Sequence, residues 1–461
     1  MEKYDVIIVG GGPAGIFTAL ELIRENQNLN ILLLEKGRSI INRGCPINSS
    51  DKKLKCQHCD PCAIVSGWGG AGAFSDGKLT LTTEFGGVLD EYIDKSELES
   101  LIDYVDKIYL EFGGPQEVHG DITPEVENIM KKAAAADLKF IPARIRHLGT
   151  DNCFNILKDM EVYLRERIDV KTLCAVKKLI VEKGVICGVE TADGEVYNSD
   201  YVVVCPGREG SDWFSTEVER LNIEVTTNPV DIGVRVECPA IVMKDITDAV
   251  YESKLIYYTK SFDDRVRTFC MNPYGEVVVE NNSGINTVNG HSYANKKSNN
   301  TNFALLVSKN FTKPFRSPID YGKYVASLAN MLGEGVIVQR LGDLLEGRRT
   351  TEERLKRGLI EPTLKDATPG DLSLVLPYRF LKDIIEMLEA LDKIAPGIYS
   401  KHTLLYGVEV KFYSMRLKLS NVLETQIKNL FAAGDGAGVT RGLAQASVSG
   451  VMIAREILRR I

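Results

Sequence analysis

Short apolar runs and glycine-rich turns alternate at the amino-terminal end of the chain. Residues 6–9 are apolar, residues 16–23 carry apolar side chains at helical spacing, and residues 31–34 form a second apolar run. Strand, helix and strand in this order predict a βαβ unit. Gly10, Gly12 and Gly15 lie between the first strand and the helix at the spacing G-x-G-x-x-G, which in this context is typical of a dinucleotide site.

The three glycines and the residue that ends the second strand have separate predicted roles. Gly10 allows a tight turn, Gly12 lets a pyrophosphate approach the backbone, and Gly15 lets the helix pack closely on the strand. The helix amino terminus favours the phosphates. Glu35 ends the second strand, where a carboxylate can accept hydrogen bonds from ribose hydroxyls. This acidic residue favours FAD or NAD over NADP.

Two later stretches complete the same pattern. Residues 427–458 contain a short apolar strand, then Gly434 and Asp435, then small residues that enter a helix. Residues 170–207 predict a β-meander and a returning strand that ends near Gly207, although a plain antiparallel hairpin would also explain the position of Val176. The dinucleotide-binding residues therefore come from three separated stretches, and the predicted domain is discontinuous.

The composition is that of a soluble globular protein of more than one domain: 461 residues, 26% of them charged and 44% hydrophobic. The net charge of −7 argues against nucleic-acid binding, because neutralising phosphates requires a basic face. No apolar run is long enough for a membrane span. A strand that starts near residue 4 leaves no room for a signal peptide, so we expect a cytoplasmic location and reduced thiols.

The motifs resemble those of the glutathione-reductase-like flavoproteins, in which the aspartate matching Asp435 binds the ribityl chain of FAD. Over nearly its full length the chain is similar to a group of bacterial FAD-dependent dehydrogenases of unassigned substrate. The segments GGAGAFSDGKL, CPGREGSDW, VDIGVRVE and GDGAGVTRGLAQAS carry this likeness. One departure is Asn272-Pro273-Tyr274-Gly275, where that group has Cys-Pro-Gly-Gly.

The resemblance implies an α/β fold: a discontinuous, Rossmann-like FAD-binding domain with an inserted mixed α+β substrate or lid domain. The predicted bounds are 1–85, 150–228 and 405–461 for the FAD domain, with a cysteine-rich insert at 38–66. A helical insertion spans 86–149, and the substrate domain spans 229–404 and contains a long loop at 281–302. The residues predicted to contact FAD are Gly10, Gly12, Pro13, Ala14, Gly15, Glu35, Lys36, Gly69, Gly70, Ser75, Asp76, Val176, Gly207, Gly434, Asp435, Gly442, Leu443, Ala444 and Gln445.

Four of the ten cysteines form the pattern C-x10-C-x2-C-x2-C at Cys45, Cys56, Cys59 and Cys62. Zinc sites usually show two separated C-x2-C pairs, whereas steps of three with a distant, proline-followed cysteine are closer to ferredoxin-like segments. The spacing favours a [4Fe–4S] cluster; thiols without metal are the next alternative, and zinc is the least favoured. No second glycine motif in a βαβ setting is present in the sequence, so a separate nicotinamide-binding domain is not expected. A cluster would supply the electrons that such a domain supplies in glutathione-reductase-like flavoproteins. NAD(P)H could still reach a flavin directly.

The predicted function is that of an FAD-dependent oxidoreductase, a dehydrogenase or reductase that transfers hydride between flavin N5 and a small organic substrate. The side chains considered for proton handling or substrate clamping, each of which also has a purely structural explanation, are Lys78, Arg441, His291 and Tyr413. One alternative is an electron-transfer or redox-sensing flavoprotein with a ferredoxin-like or other protein partner. A second is a flavoprotein that acts in RNA modification, which the acidic charge disfavours.

Overall fold

The computed structural model describes residues 3–45, 59–74, 77–226, 229–250, 253–282, 284–292, 297–311, 315, 318–411 and 415–461. The chain divides into two compact units. The first unit comprises Met1–Val118, Arg144–Thr226 and Ser414–Ile461, and the second comprises His119–Ala143 and Thr227–Tyr413. The predicted helical insertion at 86–149 is therefore not a unit of its own, because the two units share its residues.

Helices and strands of the described residues are numbered in chain order. The α-helices are α1 (Pro13–Glu25), α2 (Lys95–Glu111), α3 (Pro124–Ala135), α4 (Thr150–Arg165), α5 (Ser211–Arg220), α6 (Ala240–Ala249), α7 (Pro318–Gly333), α8 (Leu341–Leu345), α9 (Glu352–Lys356), α10 (Tyr378–Asp392) and α11 (Leu443–Arg460). The strands are β1 (Lys3–Val9), β2 (Ile31–Glu35), β3 (Lys78–Thr80), β4 (Leu138–Pro142), β5 (Ile145–His147), β6 (Asp169–Thr172), β7 (Val176–Glu182), β8 (Val185–Thr191), β9 (Val196–Val204), β10 (Val225–Thr226), β11 (Val230–Pro239), β12 (Ser253–Tyr258), β13 (Arg265–Asn272), β14 (Glu276–Asn282), β15 (Ile285–His291), β16 (Asn300–Lys309), β17 (Ile337–Arg340), β18 (Thr368–Pro369), β19 (Leu404–Lys411), β20 (Arg416–Leu417) and β21 (Leu430–Ala432).

A sheet of order β6-β2-β1-β9-β8-β7 forms the frame of the first unit, and β21 pairs with β9. Strands β6, β2, β1, β9 and β21 are parallel, whereas β7, β8 and β9 form the predicted antiparallel meander. Val9 lies beside Leu34 and Val204, and Val204 lies beside Ala432. The carboxyl ends of four parallel strands thus meet at one edge, where ligands of such sheets bind.

Helices α1 and α11 pack against each other in the first unit through small residues. A Cβ added at Gly450 would lie 2.1 Å from the carbonyl oxygen of Ala14, so no larger residue fits there. Thr18 Oγ1 donates hydrogen bonds to the carbonyl oxygens of Ala14, at 2.8 Å, and Gly450, at 3.3 Å. This close packing fixes the amino-terminal turn of α1 against the helix that follows the second glycine motif.

The second unit contains an eight-stranded sheet of order β18-β17-β19-β11-β16-β13-β12-β4. Its neighbouring strands are antiparallel, except that β17 and β18 are parallel. The central strand β11 is buried along nearly its whole length, and its residues alternate in character. Val230, Ile232, Val234 and Val236 belong to the apolar core of this unit, so Asp231, Arg235 and Glu237 point to the opposite face.

The predicted long loop at 281–302 is wrong in most of its length. Strand β15 pairs with β14 as a hairpin, in which Asn282 faces Ile285, and β16 begins at Asn300. Asparagine and glycine are poor strand formers, so the composition conceals the strand. Val288 is 1% exposed in this hairpin, and its packing with neighbouring apolar residues outweighs the weak local preference.

Candidate functional site

The first unit has a cavity of about 520 Å³ at the carboxyl edge of its parallel strands, a size within the range of roughly 300–1,000 Å³ that small-molecule and cofactor sites take. Residues from both glycine motifs, the meander and the segment before β3 line it. The lining residues that the sequence predicted are Gly10, Gly12, Pro13, Ala14, Glu35, Lys36, Gly70, Val176, Gly207, Gly434, Asp435, Gly442 and Leu443.

The three glycines of the first motif differ in what surrounds them. A Cβ added at Gly10 would lie 2.2 Å from the carbonyl oxygen of Cys205, and one at Gly15 would lie 2.0 Å from the carbonyl oxygen of Gly10. A Cβ at Gly12 would meet nothing closer than the Cα of Gly70, at 4.0 Å. Packing therefore leaves no room for a side chain at Gly10 or Gly15. A side chain at position 12 would instead extend into the cavity beside the first turn of α1.

Glu35 is a buried carboxylate at the end of β2, with 6% of the residue exposed. Its Oε2 accepts a hydrogen bond from the Gly11 amide at 2.7 Å, and its Oε1 accepts from the amides of Gly37 at 2.7 Å and Gly67 at 3.0 Å. These bonds join β2, the first glycine turn and the segment that follows the cysteines. The carboxylate lines the cavity in an orientation that three backbone donors fix.

Arg43 organises the segment between the cysteines and β3, and its side chain is buried. Nε donates to the carbonyl oxygen of Ala63 at 2.9 Å, Nη2 to that of Ile64 at 2.8 Å, and Nη1 to those of Trp68 at 2.6 Å and Gly70 at 2.8 Å. Burial lowers the pKa of Arg43 to about 10, although Glu35 and Cys62 act in the opposite direction. The guanidinium therefore stays charged at neutral pH and holds a loop of which several residues line the cavity.

The second motif presents Asp435 at the end of β21. Its Oδ1 accepts from Thr440 Oγ1 at 2.9 Å, and its Oδ2 accepts from Arg208 Nε at 3.1 Å. Gly434, just before it, has a φ of +76°, which a residue with a side chain rarely adopts. Gly442 caps α11, whose first residues approach the same cavity, so the amino termini of both α1 and α11 lie at its wall.

Each of the two cationic side chains that line the cavity contacts a carboxylate. Lys36 Nζ lies 3.5 Å from Glu209 Oε1, and Arg208 Nε lies 3.1 Å from Asp435 Oδ2. Arg208 and Glu209 are adjacent in the loop after β9, so this loop contacts the end of β2 on one side and the end of β21 on the other. The Arg208 side chain is 75% exposed, which leaves it free to rotate towards a ligand.

The structure describes three of the four cysteines in the C-x10-C-x2-C-x2-C pattern. Cys45 and Cys62 are half-buried and Cys59 is exposed, all three as free thiols, and Cys56 lies outside the described residues. In the part of the chain that the structure describes, no three His, Cys, Asp or Glu side chains are arranged to hold a metal ion. The Ser66 amide donates to the Cys62 carbonyl oxygen at 2.9 Å, and Ser66 lines the cavity, so the last cysteine adjoins the cavity wall.

Several predicted contact residues lie beside the cavity rather than in its wall. Gly15 packs under the first turn, and the Gly69 amide donates to the carbonyl oxygen of Gly11 at 2.7 Å. Ala444 and Gln445 are buried, and Gln445 Nε2 donates to the carbonyl oxygen of Phe85 at 3.2 Å. Ser75 and Asp76 lie outside the described residues.

Three of the four predicted catalytic side chains lie among the described residues, two in the first unit and one in the second. Lys78 begins β3 opposite His147, and the Arg441 amide donates to the carbonyl oxygen of Gly86 at 2.8 Å, both in the first unit. His291 ends β15 in the second unit and is exposed. Tyr413 lies outside the described residues. Their catalytic roles stay predictions.

Sequence reasoning missed the roles of Arg43, Arg208, Glu209 and Trp213. The last three line the cavity, and the signal that could have found them is the segment CPGREGSDW, which directly follows the returning strand β9. Cys174 also lines the cavity beside the predicted Val176. Arg43 gives no comparable signal, because its partners are backbone carbonyls about 20 to 27 positions further along the chain.

These features fit a bound dinucleotide: an open space at Gly12, helix amino termini for a pyrophosphate, and fixed carboxylates for hydroxyl groups. They define the class of the first unit as a dinucleotide-binding α/β fold of the flavoprotein type. Residues 229–412 match the family model described as FAD-dependent protein, C-terminal domain-like. The expectation of FAD as the cofactor is therefore confirmed, because this family model describes FAD-dependent proteins.

The proteins that are similar to this one match most of its length. A protein of Clostridium beijerinckii, described as uncharacterized, is 26% identical over 487 residues, which cover 98% of this chain and 80% of that protein. A 3-ketosteroid-Δ4-(5α)-dehydrogenase from Rhodococcus jostii RHA1 is 13% identical with a TM-score of 0.45, covering 99% of this chain and 96% of its own. A formate oxidase of Aspergillus oryzae RIB40 is 13% identical with the same TM-score, 0.45, covering 100% and 98%. Likeness at this level says nothing about the substrate.

Among the described residues, no helix combines the length and the apolar character that crossing a membrane requires.

Proposed function

We propose that FAD lies along the cavity of the first unit and that the protein oxidises or reduces a small organic substrate at the flavin. The observation that carries the proposal is the open space at Gly12, at the amino terminus of α1, in a cavity that the carboxylates Glu35 and Asp435 also line. A pyrophosphate at Gly12 would receive backbone N–H groups. Glu35 would then accept hydrogen bonds from the adenosine ribose, and Asp435 from the ribityl chain.

FAD, when bound, exchanges a hydride with the substrate through N5. The chain's own contribution is to hold the cofactor in one orientation. Three amides hold Glu35, and the Thr440 hydroxyl holds one oxygen of Asp435, so both carboxylates are oriented before they accept hydroxyl groups. The amino-terminal amides of α11 favour negative charge at the nearby cavity wall.

Electrons would enter through the cysteine segment in the same proposal. Its support is the position of Cys62, which contacts cavity-lining Ser66 through a backbone hydrogen bond, together with the spacing of the four cysteines. A cluster held by Cys45, Cys56, Cys59 and Cys62 would give single electrons to the flavin, with a ferredoxin-like protein as donor.

Anaerobic purification tests both parts separately. We expect an absorption spectrum with flavin bands near stoichiometric FAD, together with iron and acid-labile sulfide that are lost when Cys59 and Cys62 are both replaced by Ser. Replacing Cys187, a half-buried cysteine of β8, by Ser is the matched control. Protein without flavin would refute the FAD site, whereas flavin without iron and sulfide would refute the cluster alone.

A further inference from the structure

Trp213 is a half-buried aromatic residue in the first turn of α5, and it lines the cavity of the first unit. Its indole Nε1 donates to the carbonyl oxygen of Lys177 at 3.0 Å, so the one polar atom of the side chain is already paired. Its ring stacks on that of the buried Phe214, with the centroids 5.9 Å apart and 26° between the planes. These contacts orient the indole, which adds apolar aromatic surface to the cavity wall.

Backbone hydrogen bonds place this aromatic surface on the same side of the cavity as Glu35. The Cys174 amide donates to the carbonyl oxygen of Glu35 at 2.9 Å. Residues 174–176 line the cavity, and Lys177, the acceptor for Trp213, follows them directly. The Cα atoms of residues 174 and 177 can lie at most about 11 Å apart, since consecutive Cα atoms are about 3.8 Å apart. Trp213 and Glu35 are therefore neighbours along one stretch of cavity wall.

A dinucleotide in the proposed site would bring its adenine to this stretch of wall. With the pyrophosphate at Gly12 and the adenosine ribose at Glu35, the base that this ribose carries lies beyond Glu35. The wall there consists of residues 174–176 and the indole of Trp213. A purine is flat and aromatic, and an aromatic side chain that is already oriented is a suitable partner for stacking.

We propose that the indole of Trp213 packs against the adenine ring of bound FAD and makes the cavity selective for adenine-containing nucleotides. The inference rests on the proposed FAD site and adds to it the side chain that recognises the base. Trp213 is a binding residue in this proposal and takes no part in hydride transfer.

Isothermal titration calorimetry on the full-length chain, stripped of its flavin, measures the affinities for FAD, ADP and FMN. ADP carries the adenine without the flavin, and FMN carries the flavin without the adenine. Trp213→Ala should weaken the binding of FAD and ADP at least roughly fivefold and change that of FMN by less than about twofold. Trp213→Phe should keep FAD and ADP affinities within about threefold of wild type, because a phenyl ring still stacks although it lacks the Nε1 donor.

Tyr163→Ala is the matched control. Tyr163 is a half-buried aromatic residue of the same unit, its ring centroid lies 5.8 Å from that of Phe112, and it is not among the residues that line the cavity. It should leave all three affinities unchanged, and far-ultraviolet circular dichroism checks the fold of every variant. The proposal is overturned if Trp213→Ala binds FAD and ADP as tightly as Tyr163→Ala does. It is also overturned if Trp213→Phe loses as much affinity as Trp213→Ala, because the loss would then belong to the Lys177 hydrogen bond.

Tryptophan emission gives a second readout that does not require the alanine variant. The chain has two tryptophans, and the other one, Trp68, is fully buried with its Nε1 bonded to the carbonyl oxygen of Leu157. ADP should therefore change the emission of the wild-type protein through Trp213, and Trp213→Phe should lose most of this change while it still binds ADP. An equal response in Trp213→Phe would contradict stacking. A wild-type chain that binds neither FAD nor ADP would instead refute the FAD site itself, and this inference with it.

Discussion

Arg43→Gln should loosen the loop that forms one wall of the cavity in which we propose that FAD binds. The guanidinium donates hydrogen bonds to four carbonyl oxygens, those of Ala63, Ile64, Trp68 and Gly70, whereas a glutamine amide is shorter and cannot reach all of them. Carbonyl groups left without a donor must then take up water or stay unsatisfied. Because Gly67, Gly70 and Ala71 of this loop line the cavity, the loss should reach the proposed cofactor site.

The expected loss of stability depends on three contributions: the hydrogen bonds of the guanidinium, the cost of burying it, and the water that replaces it. Charge-assisted hydrogen bonds contribute about 1.5–3 kcal/mol each, so four of them set a large upper bound. Burial of the guanidinium opposes this gain, and the lowering of the Arg43 pKa to about 10 reflects that cost. Water that enters the loosened loop recovers a further part. We expect the free energy of unfolding to fall by about 3–4 kcal/mol.

Urea unfolding monitored by tryptophan fluorescence measures this change. Trp68 is fully buried, and its Nε1 donates to the carbonyl oxygen of Leu157 at 2.8 Å, so a loosened loop should shift the native emission to longer wavelength. FAD affinity, measured by titration of the apoprotein, should fall at least roughly tenfold, since the loop supplies part of the cavity wall. Arg24→Gln is the control, because Arg24 pairs with the exposed Glu111 and its loss should cost under about 1 kcal/mol.

Two results would refute the reasoning. If Arg43→Gln and Arg24→Gln lower the urea midpoint equally, the four carbonyl contacts do not hold the loop. If Arg43→Gln loses stability while FAD affinity and the Trp68 emission stay at wild-type values, the loop does not shape the cofactor site.

Two further predictions concern a glycine pair and a carboxyl pair. Gly12→Ala should fold with nearly wild-type stability but bind FAD at least roughly tenfold more weakly, since its methyl group enters open cavity space. Gly15→Ala should lower the free energy of unfolding by more than about 2 kcal/mol, since its Cβ would lie 2.0 Å from the Gly10 carbonyl oxygen; equal stability of the two variants in urea would contradict this. In the second unit, burial first, and then the neighbouring Asp264, raises the pKa of Asp383 to about 6. The stability that the protonated form contributes is therefore complete below the unfolded pKa of about 4 and lost as pH rises through about 6. Asp383→Asn should remove this loss, about 2 kcal/mol between pH 4 and pH 8 in urea titrations, and an unchanged pH profile would count against the assignment.

The frame of the first unit was predictable because its signals are local. The apolar runs at 6–9 and 31–34 are strands buried on both faces, and such strands are continuous in sequence as well as in structure. The glycine spacing then fixes where β1 ends and α1 begins. Most of the cavity wall follows from these two facts, because parallel strands bring their carboxyl ends to one edge.

The features that the sequence did not reveal depend on distant partners. The domain bounds shift because β4, of five residues, pairs with β12 across more than a hundred residues of chain and thereby assigns 119–143 to the second unit. Arg43 lies in a polar stretch without periodicity. Its hydrogen bonds to backbone carbonyls form only when the loop at 63–70 folds around the side chain. The cations that contact the Phe269 ring, which are Lys254, Arg267 and Lys411, come from β12, β13 and β19, whose order in the sheet no single sequence segment shows.

The charges of the cavity wall bear on which dinucleotide it accepts. Its described charged side chains are the cations Lys36 and Arg208 and the carboxylates Glu35, Glu209 and Asp435, so side chains alone give an excess of one negative charge. Attraction of a pyrophosphate must then come from the helix amino termini and the glycine backbone, where partial positive charge is fixed. A cofactor with a further phosphate on its adenosine ribose would bring that phosphate to Glu35, whose orientation three amides fix and which cannot turn away. The same bonds that prepare Glu35 for hydroxyl groups therefore disfavour a 2′-phosphate, so this position favours FAD or NAD over NADP.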